Sequence, residues 1–275
     1  MEGDPGPPRL TAEEAATIGR RVRWGLGLTV AGIVGVGVGL ELGLLDTLAL
    51  PTFLILLPAL ALAQVPLLGK EELERMAVYL GSGITILILG ALALLFGNWG
   101  VGLSALGLVM PGVGPFLLWT MGLVVGGLAL ALAFRPLERW LSGGPPPFMA
   151  DLLPRTSEER ATFAGLSLAA GWGEEMVYRG YVPAVLVAVG MDLWVALGVS
   201  SVSFGVLHAY QGPAGVLRTT AMGILLALPV AFTGSLYPAM AAHALYDLVA
   251  GLVLGPVLLG REGEDPGDID PDHDE

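Results

Sequence analysis

The chain has 275 residues, 54% of them hydrophobic and only 14% charged, with a mean hydropathy of +0.74. A soluble globular domain carries about a quarter of its residues as charges, and the ~10-residue segments of a lipid-facing β-barrel alternate apolar and polar; the continuous apolar runs seen here exclude both. The absence of Cys excludes disulfides, thiolate metal sites and a cysteine nucleophile, and a net charge of -12 leaves no basic patch of the kind nucleic-acid binding needs.

Residues 1–23 form a polar N-terminus with a basic cluster at Arg20, Arg21 and Arg23. Eight apolar segments follow, at about 24–45, 48–68, 76–96, 115–134, 161–189, 192–208, 213–232 and 236–259. Most are long enough to cross ~30 Å of hydrocarbon at ~1.5 Å per residue. The first lacks a suitably placed small-residue cleavage site and reads as a retained span, not a signal peptide. Residues 98–114 are apolar but rich in Gly and Pro, and read as an external or re-entrant loop. The terminal stretch 261–275 has eight acidic residues and one Arg and reads as a solvated, disordered tail. These features predict an all-α polytopic membrane protein of about eight transmembrane helices. Four accessory helices span 24–134, a cytoplasmic linker with Gly143, Gly144 and Pro145 covers 135–160, and a four-helix catalytic core fills 161–260. No internal repeat is visible.

Orientation follows from Lys and Arg. With the N-terminus in the cytoplasm and eight spans threaded, Arg9, Arg20, Arg21, Arg23, Lys70, Arg75, Arg135, Arg139, Arg155, Arg160 and Arg261 fall on the cytoplasmic side. Arg218, just inside the seventh segment, joins them by snorkelling. Only Arg179 stays within a span. The expected location is the cell membrane, multi-pass, with both termini cytoplasmic.

Glu41, Asp192 and Arg218 lie near segment ends. The remaining intramembrane ionisable groups are Glu174, Glu175, Arg179, His208, His243 and Asp247. A charge at the centre of a span costs at least ~2.5–3.5 kcal/mol, so three of them within one short run imply a function. Glu175 and Arg179, four apart with Glu first, have the favourable helical orientation for an ion pair. Glu174 points roughly 100° away, with Tyr178 and no cation at i+4, which suits a general base. His208 follows Phe204 at i+4, and His243 and Asp247 also share a helical face. Two chemistries fit. Glu174 and His208 could activate a water, with His243 and a protonated Asp247 donating to the oxyanion. Alternatively Glu174, His208 and His243 could bind zinc in an open catalytic site, although the His-Glu-x-x-His helix signature is absent. From the cytoplasm Glu174 lies ~20 Å deep, and from outside His243 lies ~10 Å deep, a matching level, whereas His208 comes out shallower.

The run from Glu174 to Gly180 resembles the Glu-Glu-x-x-x-Arg motif of the CAAX prenyl protease 2 and bacteriocin-processing (CPBP, or Abi) family of intramembrane proteases. Phe204 to His208 matches its Phe-x-x-x-His motif, and His243 to Asp247 its third motif, usually His-x-x-x-Asn. The resemblance covers about 161–259. It implies an endopeptidase cutting within or beside the membrane. Glu174 and His208 would activate water, His243 and Asp247 would stabilise the oxyanion, and Glu175 and Arg179, with Phe204 and Tyr178 beside them, would support the site. A metal-free glutamate mechanism is favoured over the zinc alternative. The implied partners are the bilayer and a membrane-embedded or lipid-anchored peptide; eukaryotic members trim prenylated CAAX tails. Asp247 in place of Asn departs from the pattern, since a carboxylate donates only when protonated. The competing readings are a proton-coupled transporter and a non-catalytic membrane scaffold.

Overall fold

The computed structural model describes residues 11–40, 42–67 and 74–255. Arg9, Glu41, Lys70, Arg261 and the acidic tail at 261–275 lie outside the described residues. Among the described residues there is no strand.

Helical rods occupy all the predicted apolar segments. In chain order they begin with α1 (Ala12–Gly39), then α2 (Leu44–Pro51), which runs through a π-helical turn (Thr52–Leu56) into α3 (Leu57–Gln64). Next come α4 (Arg75–Gly100), α5 (Val113–Ser142) and the short α6 (Phe148–Asp151). Then α7 (Ser157–Glu175) runs through a second π-helical turn (Met176–Tyr181) into α8 (Val182–Ala188), followed by α9 (Leu193–Leu207), α10 (Gly212–Thr233) and α11 (Tyr237–Leu252). Five rods are long and apolar enough to cross a membrane: α1, the α2–α3 rod, α4, α5 and α10. The expected eight are not all reached by that measure. The α7–α8 rod carries too many charges, and α9 and α11 have only 15 and 16 residues.

Two boundaries move outward. α1 starts inside the predicted polar N-terminus, because Thr11 and Glu14 form a reciprocal capping box that satisfies free amides there. α5 runs to Ser142, where Gly143 in the left-handed region (φ +71°) stops it. The linker is therefore shorter than the predicted 135–160. The segment at 98–114 adds no span: Leu106 is buried, and the Gly107 carbonyl accepts from the Leu236 amide at 2.8 Å.

Helices in lipid gain no hydrophobic drive from one another and rely on close packing through small residues. α7 is central because glycines open it on two sides. A Cβ at Gly173 would stand 2.6 Å from the Ile86 carbonyl oxygen of α4, and one at Gly171 2.6 Å from the Met240 carbonyl oxygen of α11. Both lie within the turn before Glu174 and so fix its approach to α4 and α11. The N-terminal helices share the same core. Ala49, Leu50 and Phe53 pack with Met176, Tyr178, Tyr181 and Phe204. A second cluster, including Leu123, Met222 and Ala242, joins α5, α10 and α11.

Basic side chains tie helices together at several points. Arg21 Nη1 donates to the Leu62 carbonyl at 2.8 Å, tying α1 to α3. Arg75 Nε donates to Glu159 Oε1 at 2.8 Å and its Nη1 to the Asp151 carbonyl at 3.1 Å. Together with the Arg155 and Thr156 amides, Arg75 holds the Glu159 carboxyl down at about 2. Outward, α4 and α5 present Ile84, Ile88, Leu118 and Val125 exposed, as a lipid-facing surface requires.

Candidate active site

The π-turn at 176–181 shapes the site. In it the Val182 amide reaches back five residues to the Val177 carbonyl. In that register the Tyr178 carbonyl faces residue 183, and Pro183 has no N–H to give. Ser200 Oγ of α9 donates to the Tyr178 carbonyl instead. The turn at 52–56 repeats the arrangement: the Leu57 amide bonds the Thr52 carbonyl, and Pro58 leaves the Phe53 carbonyl free. The Tyr178 hydroxyl approaches that carbonyl at 3.4 Å, and Ser203 Oγ donates to the neighbouring Leu54 carbonyl at 3.1 Å. Two proline-freed carbonyls thus join α2–α3, the α7–α8 rod and α9. π-bulges of this kind concentrate at functional sites.

The motif residues converge on His243. Its Nδ1–H donates to Glu175 Oε1 at 2.8 Å, and Arg179 Nη1 donates to the same oxygen at 2.9 Å. Glu175 and Arg179 are fully buried, so the predicted i,i+4 pair is present, and it also anchors the histidine. Nε2 on the far side of the ring stands 3.8 Å from Glu174 Oε2 and 3.6 Å from Asp247 Oδ2. Those two carboxylates keep partial exposure, 14% and 30% of their side chains, and face the one nitrogen from α7 and α11.

Phe204 explains its motif. Its carbonyl accepts from His208 Nδ1 at 2.8 Å, which fixes the tautomer and leaves Nε2 as the bare nitrogen. Its ring lies 4.6 Å from the His208 ring and 6.1 Å from the His243 ring, centroid to centroid. The Arg179 guanidinium sits 4.2 Å above it, a cation–π contact, and Tyr178 packs at 5.3 Å. One aromatic ring therefore spaces the two imidazoles.

The structure brings Glu174, Glu175, Arg179, His243 and Asp247 into direct contact, with Phe204 and Tyr178 behind them. His208 adjoins through Phe204; among the described residues no hydrogen bond or ion pair joins it to Glu174. Among the described residues no three His, Asp or Glu side chains are grouped so as to hold a metal ion.

Three polar residues escaped the sequence reading. Asp46 is buried on α2 and accepts from the Tyr181 hydroxyl at 2.7 Å. Glu138 is buried on α5 and pairs with Arg218, so Arg218 is clasped between α5 and α10. Tyr210 lies in the turn after α9, its ring 5.7 Å from that of His208. The signal for Asp46 is a lone carboxylate inside an otherwise apolar run, overlooked because it fell at a segment boundary. Asp192, placed near a segment end, caps α9 by accepting from the Trp194 amide at 2.9 Å.

Residues 156–249 match the family model described as Type II CAAX prenyl endopeptidase Rce1-like. Neither a curated protein nor a solved structure matches the chain. That segment carries the motif residues from Glu174 to Asp247, and over it the chain is similar to the Type II CAAX prenyl endopeptidase Rce1-like family.

Proposed function

We propose that the protein is a metal-free intramembrane endopeptidase that hydrolyses a peptide bond of a lipid-anchored or membrane-embedded peptide, prenylated or bacteriocin-like in kind. The observation that carries this reading is the pairing of Glu174 with an anchored His243: a carboxylate 3.8 Å from Nε2 of an imidazole whose Nδ1 is held by Glu175. Glu174, partly exposed, takes the proton of a water while that water attacks the scissile carbonyl. His208, with Nε2 bare, shares that proton and passes it to the leaving amine. A second donor bond from His243 Nε2, aimed at the oxyanion, requires the doubly protonated ring, with Glu175 accepting from Nδ1. Glu175, Arg179 and Tyr178 position these groups. The distribution of Lys and Arg along the sequence supports a cytoplasmic placement of both termini in the cell membrane.

The test is proteomics of membranes from cells carrying the wild type against cells carrying Glu174→Ala. A peptide or protein tail that accumulates uncut in the variant is the expected result; identical membrane proteomes would overturn the reading. The metal-free mechanism makes a separate prediction. The purified protein keeps its activity in chelator and holds no stoichiometric zinc, whereas one zinc per chain, lost in His208→Ala, would defeat it.

A further inference from the structure

Resting on that endopeptidase reading, the structure points to one more catalytic group outside the three motifs. We propose that the Tyr210 hydroxyl donates a hydrogen bond to the oxyanion formed during hydrolysis.

The direction of its proton is fixed by a chain of contacts. Arg218 Nη1 pairs with Glu138, and Nη2 donates to Gln211 Oε1 at 2.9 Å. Thr219 Oγ1 donates to the same Oε1 at 3.1 Å. Arginine has no acceptor, so the Gln211 amide can sit only with its oxygen toward Arg218 and its NH2 group on the other side. That NH2 donates to Tyr210 Oη at 3.2 Å. The phenol oxygen is then the acceptor in its contact with Gln211, and its own proton is left to give. Among the described residues no acceptor takes it.

The place where it can be given is the active site. Tyr210 follows His208 by two residues, with ring centroids 5.7 Å apart. Tyr210 is half-buried beside that imidazole. The pocket also needs a donor. Ionised Glu174 and Asp247 only accept, and His208 keeps Nε2 bare because Nδ1 serves the Phe204 carbonyl. Arg179 is fully buried, its Nη1 is engaged with Glu175, and its Nη2, which has no hydrogen-bond partner, lies against Gly223 of α10. Among the described residues beside the site, His243 and Asp247 donate only in their protonated forms, whereas the Tyr210 hydroxyl donates without a change of protonation state.

The probe is a synthetic copy of the peptide that accumulates uncut in Glu174→Ala membranes, presented with the full-length protein in lipid vesicles. Removing one oxyanion donor costs ~10²–10³ in kcat, so Tyr210→Phe lowers kcat by about that factor with KM unchanged, while loss of the Gln211 hydrogen bond lowers the melting temperature only slightly. Replacing Tyr210 by 3,5-difluorotyrosine preserves the ring and acidifies the phenol. It moves the alkaline limb of the kcat profile to lower pH, which a structural role would not do, and it decides the matter if Tyr210→Phe misfolds. A kcat within about twofold of wild type for Tyr210→Phe, or an unmoved limb in the fluorinated protein, overturns the proposal. If nothing accumulates in Glu174→Ala membranes, or the wild type fails to cut the probe, the endopeptidase reading itself falls and takes this role with it.

Discussion

Glu174→Gln abolishes hydrolysis and leaves the fold standing. The substitution keeps size and shape but removes the group that accepts the water proton, and a positioned general base is worth ~10²–10⁴ in rate. The fold loses little, because the nearest charged partner of Glu174 is His243 Nε2 at 3.8 Å, beyond hydrogen-bond length. Turnover of the accumulated peptide by purified protein in vesicles, set beside a melting curve, checks both halves. A variant that still turns over at the wild-type rate would remove Glu174 from the mechanism. A variant that also loses its melting transition would make Glu174 a structural residue.

Glu175 and Arg179 behave in the opposite way. Both are fully buried, and Glu175 Oε1 takes hydrogen bonds from Arg179 and from His243. Removing one member of a buried pair leaves an uncompensated charge and costs about 3–5 kcal/mol. Arg179→Met therefore destabilises strongly, and Glu175→Gln does the same by stranding the guanidinium. The double replacement Glu175→Gln with Arg179→Met removes both charges and recovers much of that loss, since buried pairs often exchange for neutral groups at little cost. Activity does not return with stability. Without the Glu175 carboxylate the His243 ring keeps at most a neutral amide acceptor and loses the counterion that favours its doubly protonated form. Denaturation in detergent read beside turnover separates these outcomes. A double variant that is both stable and active would show that Glu175 anchors nothing catalysis needs.

Much of the architecture was legible because lipid imposes simple rules. Long apolar runs gave the helices, and the three motifs placed charge where hydrophobic anchoring has no use for it. The i,i+4 spacing located the Glu175–Arg179 pair, which persists although the chain there is a π-turn. The turn itself was not legible. Pro183 and Pro58 mark both turns, but one proline signals only that a carbonyl is freed, not which partner receives it. Ser200 and Ser203, which supply those partners from α9, read in sequence as ordinary small residues of an apolar helix. Arg218 shows a different limit. Its position near a helix end is compatible with snorkelling, and only the third dimension reveals that Glu138 and Gln211 are close enough to hold it. Tyr210 was missed for the same reason, since its importance comes from the orientation of the neighbouring amide.

Hydrolysis at this site requires Glu174 and Asp247 to line a water-filled pocket inside the bilayer. The chain has no cysteine of its own, so thiols can be introduced singly and probed with a charged, membrane-impermeant thiosulfonate, which reacts with thiolates in water. Asp247→Cys and Glu174→Cys are expected to be labelled in membrane fragments open to the reagent on both faces, as is the exposed control Glu158→Cys. Val125→Cys, whose side chain is 67% exposed toward lipid, is expected to stay unlabelled. Labelling at 158 with none at 174 or 247 would mean that water does not reach these carboxylates, and hydrolysis at this site would be untenable.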